Sequence, residues 1–129
     1  MPASYTFKKL TEVEDSAPKF GFAETQEARF AKDDLGSQQI GVSLMDVKPG
    51  KRQAFAHKHD QAEEVYVVVA GSGRVKLDDD IVELEPLDAI RVDPAVTRQF
   101  EAGSSGLQIL AFGPRHDRDG EIVQGWWSD

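Results

Sequence analysis

The sequence predicts a single all-β domain, a sandwich or a barrel, and three observations lead to that prediction. From Gln39 onward, short apolar or alternating segments are separated by turn residues such as Gly, Pro and Asp. The segments are four to eight residues long, which leaves little room for helices. The chain has 129 residues, close to the usual size of one domain and too short for two well-filled cores.

The predicted elements divide the domain into an N-terminal extension over 1–36, a barrel core over 37–113 and a C-terminal tail over 114–129. The extension has a short strand signal at Tyr5–Leu10, and Glu24–Ala31 is either a strand or a short helix. The Asp78–Asp80 turn predicts a hairpin. The strands of the core are predicted at Ile40–Val47, Ala54–His59, Glu64–Ala70, Arg74–Leu77, Ile81–Glu85, Ala89–Val92, Arg98–Ala102 and Leu107–Phe112.

Composition narrows the classes of partner. The net charge is -8, from 23 acidic and 15 basic residues, which disfavours nucleic acid and membrane surfaces. The absence of cysteine excludes disulfides, thiolate ligands and a thiol nucleophile. The sequence shows no secretory signal pattern and no apolar stretch of membrane-spanning length, so a cytoplasmic location is expected. The expected partners are a small molecule, a metal ion or a second copy of the chain.

Three residues form the candidate metal site. His57 and His59 lie two apart on a predicted strand, so both imidazoles project from the same face. A tight antiparallel turn over 60–63 would return Glu64 beside them. Two imidazoles and one carboxylate form a set that holds Fe(II), Mn(II), Ni(II) or Zn(II) with open positions. The pattern therefore predicts that the three side chains converge on one interior point.

The spacing around these residues resembles the first motif of the cupin superfamily. That motif has a glycine, five residues, His-x-His, three or four residues, a glutamate, six residues and a glycine. Gly50, His57, His59, Glu64 and Gly71 match it, except that six residues separate Gly50 from His57. The resemblance implies a double-stranded β-helix, or jelly-roll barrel, of the small cupin type-2 class. It implies a divalent metal as cofactor, and no organic cofactor is expected.

The second cupin motif is degenerate. Leu87, Asp93, Ala95, Arg98 and Ala102 occupy the positions of its defined residues, so Arg98 stands where the family has a fourth, histidine ligand. Two interpretations of Arg98 follow. In the first, an ion is held by the three remaining ligands and Arg98 contacts an anionic substrate. In the second, Arg98 pairs with Glu64 and the barrel holds no metal.

These interpretations lead to different functions, and whether the chain is an enzyme stays open at this point. The first is a metal-dependent enzyme, dioxygenase- or isomerase-like, with Gln53 and Tyr66 as further substrate contacts. The second is a non-catalytic, metal-free barrel for binding or sensing a ligand. A third is a purely structural dimerisation module. Metal analysis would separate the first two.

Three further features of the sequence concern assembly and surface loops. Trp126 and Trp127 favour a homodimer, because one small barrel seldom buries two such side chains at its tail. The segment around His116, through Gly120, is expected to be a surface loop. Asp78–Asp80 lacks the spacing and glycine of a calcium loop and is expected to be a solvated turn.

Overall fold

A computed structural model describes residues 3–114 and 119–128 of the chain. Its strands are β1 (Gln26–Phe30), β2 (Ile40–Val47), β3 (Ala56–His59), β4 (Glu64–Leu77), β5 (Asp80–Leu84), β6 (Ala89–Val92), β7 (Arg98–Pro114) and β8 (Gly120–Val123). One short helix, α1 (Lys32–Leu35), follows β1, and 3-10 turns cover Leu10–Glu12 and Pro18–Phe20. The prediction of an all-β domain is confirmed.

The strands form a curled antiparallel sheet whose two layers share β4 and β7. The first half of β7 pairs with the second half of β4, and this layer continues to β3 and β8 on one side and β5 on the other. The second half of β7 pairs with the first half of β4, and this layer continues to β2 and β1 on one side and β6 on the other. The space between the two layers is the interior of the barrel.

Glycines let the two long strands pass from one layer to the other. The sequence predicted strand ends at 71–73 and 103–106, and that prediction is wrong, because β4 and β7 run through both segments with register shifts. Gly71 has a φ of +80°, and a Cβ there would lie 2.0 Å from the Gly106 carbonyl oxygen. A Cβ on Gly73 would lie 2.0 Å from the Glu101 carbonyl oxygen. Only glycine permits this close approach of the two backbones.

Side chains that alternate between the inner and outer faces of the strands fill the barrel interior. On β4, Tyr66 and Val68 are buried while their neighbours are more exposed, as a half-buried strand requires. The Tyr66 ring packs against Phe100 of β7, with 4.9 Å between ring centroids. The remaining members of this core are mainly aliphatic: Val47, Val75, Leu84, Val92, Ala102, Leu107, Ile109 and Ala111. This core underlies one end of the barrel and leaves the other end for polar side chains.

The N-terminal extension and the tail differ from expectation in several places. No strand forms at Tyr5–Leu10, where both aromatic side chains are exposed. The segment Glu24–Ala31 contains strand β1, which pairs with β2 along its whole length. The tail contains β8, which was not predicted and pairs with β3. The expectation for His116 lies outside the described residues.

The turn between β5 and β6 contains an uncommon backbone conformation. Leu87 has a φ of +72°, and its side chain is 82% exposed. The Asp88 N–H donates to the Glu85 carbonyl oxygen at 3.1 Å, so Pro86 and Leu87 occupy the central positions of a β-turn. A positive φ at the second central position is typical of a type II turn, which favours glycine there. In the alignment with the second cupin motif, Leu87 takes the position of a glycine. The turn therefore has the backbone conformation that favours glycine, with leucine at that position.

The tail packs on its own barrel. Trp127 is buried, and the Arg52 and Arg74 guanidinium carbons lie 4.3 and 5.2 Å from its ring centroid. Trp126 lies beside the ammonium of Lys76, 4.5 Å from its ring centroid. Trp127 therefore needs no partner subunit to be buried, which removes one reason for expecting a dimer. The homodimer and the cytoplasmic location stay predictions. Among the described residues, no helix is long and apolar enough to cross a membrane.

Candidate functional site

Two histidines of β3 point into the barrel from the same face of the strand. The ring centroids of His57 and His59 lie 5.1 Å apart, and the rings are nearly perpendicular. Lys58, between them, points outward and approaches the Glu121 carboxylate at 3.7 Å. The period of two in a strand produces this arrangement, and β8 and β7 hold β3 in place on either side.

Glu64 and Tyr66, at the start of β4, meet the histidines across the interior. Glu64 Oε1 lies 3.2 Å from Nε2 of His57 and 3.2 Å from Nε2 of His59. The Tyr66 hydroxyl donates a hydrogen bond to the same carboxylate oxygen and lies 3.4 Å from His57 Nε2. Potential ligand atoms of His57, His59 and Glu64 all lie within 4.8 Å of one another. The structure thus brings together four of the six residues singled out in the sequence.

The route by which Glu64 reaches the histidines differs from the sequence prediction. A hairpin over 60–63 would pair β3 with β4, but the described strand pairs place β3 against β7 and β8. The first half of β4 pairs instead with β6 and β7 in the opposite layer. Glu64 therefore approaches across the barrel rather than from a neighbouring strand. The 60–63 segment is a crossing between layers, and the period-two alternation still directs all three side chains inward.

Burial and the close contacts set the protonation of this group. Burial raises the pKa of Tyr66 well above its usual range, so the hydroxyl keeps its proton. Although burial favours the neutral acid, the His57, His59 and Tyr66 contacts hold the pKa of Glu64 well below its usual range. Burial lowers the pKa of His57, while the Glu64 carboxylate raises the pKa of His59. The site therefore contains a carboxylate and a phenol at neutral pH.

Arg98 lies in the interior next to His57. It is opposite His57 in the β3–β7 register, and it is 0% exposed. Its Nη2 donates to the Asp93 carbonyl oxygen at 3.2 Å, whereas Nε and Nη1 have no hydrogen-bond partner among the described residues. The second interpretation of Arg98 requires an ion pair with Glu64. That pair is absent from the described contacts, because Glu64 is turned toward the two histidines and Tyr66. Arg98 thus contributes a buried positive charge behind the ligand cluster.

Asp119 completes the surroundings of His59. Its Oδ2 lies 3.1 Å from His59 Nδ1 and accepts the Ala62 N–H, and its Oδ1 accepts the N–H groups of Asp60 and Gln61. Although burial opposes ionisation, the backbone hydrogen bonds lower the pKa of Asp119. The sequence placed this residue in a surface loop, but it is only 6% exposed. No local pattern identifies it, because its contacts are with residues about sixty positions earlier in the chain.

The cluster opens into two adjoining cavities of about 340 and 370 Å³, both lined by His59 and Glu64. One has a largely apolar wall that includes Met45, Phe55 and Ile122. The other is lined by polar groups that include Lys32, Ser43 and Asp119. Gln53 also lines the apolar cavity, but its Oε1 accepts the Phe100 N–H at 3.1 Å. Gln53 is therefore engaged with the barrel backbone at its acceptor end.

The donor set fits a first-row divalent cation. His59 Nε2 is buried, and among the described residues it is left without a hydrogen-bond partner, although Glu64 Oε1 lies 3.2 Å away. An unpartnered imidazole nitrogen beside a second imidazole and a carboxylate is what a two-histidine, one-carboxylate metal site requires. The carboxylate on the far nitrogen of His59 is the kind of partner that metal-binding histidines usually have.

Comparisons with known proteins agree on the fold. A cupin protein from Bacteroides fragilis has a TM-score of 0.72 and 22% identity, covering 91% of this chain and 89% of that one. An oxalate decarboxylase variant from Bacillus subtilis has a TM-score of 0.78 and 16% identity, covering 95% of this chain and 33% of that one. A putative sugar phosphate isomerase from Acidithiobacillus ferrooxidans has a TM-score of 0.66 and 25% identity, covering 74% and 64%.

Sequence comparisons identify the family. An uncharacterised protein from Methanocaldococcus jannaschii is 30% identical over 81 residues, which cover 60% of this chain and 65% of that protein. The matched region thus spans slightly less than two thirds of that relative. The family model of the cupin domain matches residues 43–111, which is more than half of the chain and includes His57, His59, Glu64 and Arg98. The chain belongs to the cupin family.

Proposed function

We propose that this cupin is a metal-dependent enzyme in which His57, His59 and Glu64 hold a divalent ion, Fe(II), Mn(II), Ni(II) or Zn(II). The observation that carries the proposal is the buried Nε2 of His59, which has no hydrogen-bond partner in the described part of the chain and lies beside His57 and the Glu64 carboxylate. An ion held there would supply Lewis-acid polarisation of a substrate oxygen. Protein ligands from three residues leave positions open for a substrate, which dioxygenase-like and isomerase-like reactions both need.

The charges of the interior favour an anionic substrate. The Glu64 and Asp119 carboxylates outnumber the Arg98 guanidinium by one charge, so a divalent ion would leave the interior with one excess positive charge. An anion entering the cavity would compensate that charge, and Arg98 would attract it from behind His57. The apolar wall with Met45 and Phe55 would accommodate a hydrocarbon part of the same molecule.

Tyr66 would then act on the substrate side of the cluster. Its hydroxyl points at Glu64 Oε1 and lies 3.4 Å from His57 Nε2. The hydroxyl keeps its proton and can give its hydrogen bond to an oxygen or nitrogen atom bound in the cavity instead of to Glu64. Gln53, in the same wall, would fix the shape of the cavity, because its carbonyl oxygen is hydrogen-bonded to the Phe100 backbone.

The reaction class is proposed from one similar structure. The putative sugar phosphate isomerase from Acidithiobacillus ferrooxidans is 25% identical over 74% of this chain, which supports an isomerase-like reaction. A metal-free barrel that only binds a ligand is the second candidate. It is favoured by one observation, that His57 and Tyr66 already satisfy Glu64 Oε1 without an ion.

Metal binding distinguishes the two candidates. We expect protein purified without a histidine tag or added metal to contain a first-row ion by mass spectrometry, and the metal-free protein to bind Zn(II) or Mn(II) in a calorimetric titration. His59→Ala should abolish binding, whereas Lys58→Ala, which alters the outward side chain between the two histidines, should leave it unchanged. A folded parent protein that binds neither ion would favour the metal-free barrel.

A further inference from the structure

The crossing from β3 to β4, residues 60–62, is held by one buried carboxylate. Asp119 Oδ1 accepts the Asp60 N–H at 3.1 Å and the Gln61 N–H at 2.6 Å, and Oδ2 accepts the Ala62 N–H at 3.0 Å. This crossing joins two of the proposed ligands, His59 and Glu64. Asp119 lies outside the region that the family model matches, which ends at residue 111.

The same carboxylate determines which nitrogen of His59 carries a proton. Each backbone N–H can only donate, so both Asp119 oxygens act as acceptors. The remaining contact of Oδ2, to His59 Nδ1 at 3.1 Å, therefore requires Nδ1 to donate. In a neutral imidazole with a proton on Nδ1, Nε2 has a free lone pair. His59 Nε2 is the atom that faces Glu64 at 3.2 Å without a hydrogen bond.

We infer that Asp119 is the positioning residue of this site, because it fixes His59 with Nε2 available as a ligand and sets the path of the chain from His59 to Glu64. The part of this inference that concerns metal affinity rests on the proposed function. The part that concerns the tautomer does not, since it follows from the contacts of the metal-free protein.

The tautomer can be observed directly by ring-nitrogen chemical shifts in uniformly ¹⁵N-labelled, metal-free protein. At a pH above the raised pKa of His59, where the imidazole is neutral, we expect His59 of the parent protein to have its proton on Nδ1. In Asp119→Asn, the amide oxygen can accept the Asp60 and Gln61 N–H groups. The amide nitrogen then faces His59 Nδ1 as a donor, and the Ala62 N–H loses its acceptor. The proton should therefore move to Nε2. A parent protein with its His59 proton on Nε2 would overturn the inference without the need for any variant.

Zn(II) titration gives the second readout. Loss of such a partner typically costs about 10- to 100-fold in metal affinity, and we expect Asp119→Asn to fall in that range. Asp15→Asn is the matched control, because Asp15 Oδ1 also accepts two backbone N–H groups, from Ala17 at 3.0 Å and Ala28 at 2.9 Å, away from the site. It should leave the tautomer and the affinity unchanged.

The outcomes separate the two proposals. Equal Zn(II) affinity in Asp119→Asn and Asp15→Asn, with both folded and the parent binding Zn(II), would refute the role of Asp119. An unchanged His59 tautomer in Asp119→Asn would refute it as well. A parent that binds no Zn(II) but shows the Nδ1 proton and its shift in the variant would refute the proposed metal function and support the positioning role.

Discussion

Replacing Arg98 by histidine would exchange a fixed positive charge for a neutral nitrogen donor at the strand position opposite His57. The side chain is wholly buried, and within residues 3–114 and 119–128 two of its nitrogens have no hydrogen-bond partner. Its charge is therefore poorly screened by protein groups or by water. In the cupin second motif the same position carries the fourth ligand, so the substitution would complete a set of three histidines and one glutamate.

The magnitude follows from the charge that is removed. Arg98 is the cross-strand partner of His57, and such partners have Cβ atoms about 5 Å apart. At a separation of about 6 Å, a unit charge repels a divalent ion by about 5.5 kcal/mol at an effective dielectric constant of about 20. A tenfold change in affinity corresponds to about 1.4 kcal/mol. Relief of roughly a quarter of the repulsion is therefore enough for a tenfold gain, before any contribution of the new nitrogen ligand. We expect Arg98→His to bind Zn(II), Ni(II) or Mn(II) at least about tenfold more tightly than the parent protein.

Calorimetric titration of the metal-free proteins measures this difference. Glu64→Ala in the Arg98→His background should remove most of the gain, because it removes the only carboxylate of the proposed ligand set. Arg91→His is the control for the loss of charge, since the Arg91 side chain is 57% exposed and pairs with Glu63 on the outer surface. Its affinity should match that of the parent. Equal affinity in Arg98→His and parent, both stably folded, would show that Arg98 does not act on the site.

Three further predictions concern the barrel. Leu87→Gly should stabilise the protein by about 0.5–1 kcal/mol, because it removes the cost of a positive φ at an exposed position. Urea unfolding measures this change in stability, and a similar gain in Leu87→Ala would contradict the backbone explanation. Gly73→Ala should destabilise it by more than about 3 kcal/mol, because the new Cβ would meet the Glu101 carbonyl oxygen at 2.0 Å; a thermal midpoint equal to that of the parent would be inconsistent with the layer crossing. Trp127→Ala should cost about 3–5 kcal/mol in unfolding free energy with no change of mass in light scattering, and dissociation of an oligomer instead would show that the tail packs between subunits.

The central cluster could be predicted because its signals are local. His57 and His59 are two residues apart on a strand, and Glu64 follows after a short crossing, so period-two alternation is enough to direct all three inward. The same local argument predicted the wrong path for Glu64. A short polar segment between two strands has the same composition whether it returns within a layer or crosses between layers. The distinction is made by β7 and β8, which occupy both sides of β3.

The misplaced strand ends and Asp119 have a different origin. The sequence predicts turns at 71–73 and 103–106, because both segments contain glycine, the usual residue of a turn. These glycines allow the backbones of β4 and β7 to approach each other closely. The order of residues along the chain does not show how close two strands lie. In the described part of the chain, the Asp119 side chain contacts residues 59–62, and an isolated aspartate in a polar segment gives no indication of such contacts. Long-range contacts of this kind require the topology to be known first.

The separation of Asp119 from the loop that it holds has a consequence for the order of events during synthesis. Asp119 follows His59 by 60 residues, so at about 5–20 residues per second it is added roughly 3–12 s later. During that interval the nascent chain already carries both imidazoles and Glu64, but the carboxylate that orients His59 has not been made. Strand β8, the neighbour of β3, is made later still. The orientation of His59 that we assign to Asp119 can therefore arise only after translation has passed Asp119, so the full affinity proposed for the ion would belong to a chain that includes β8.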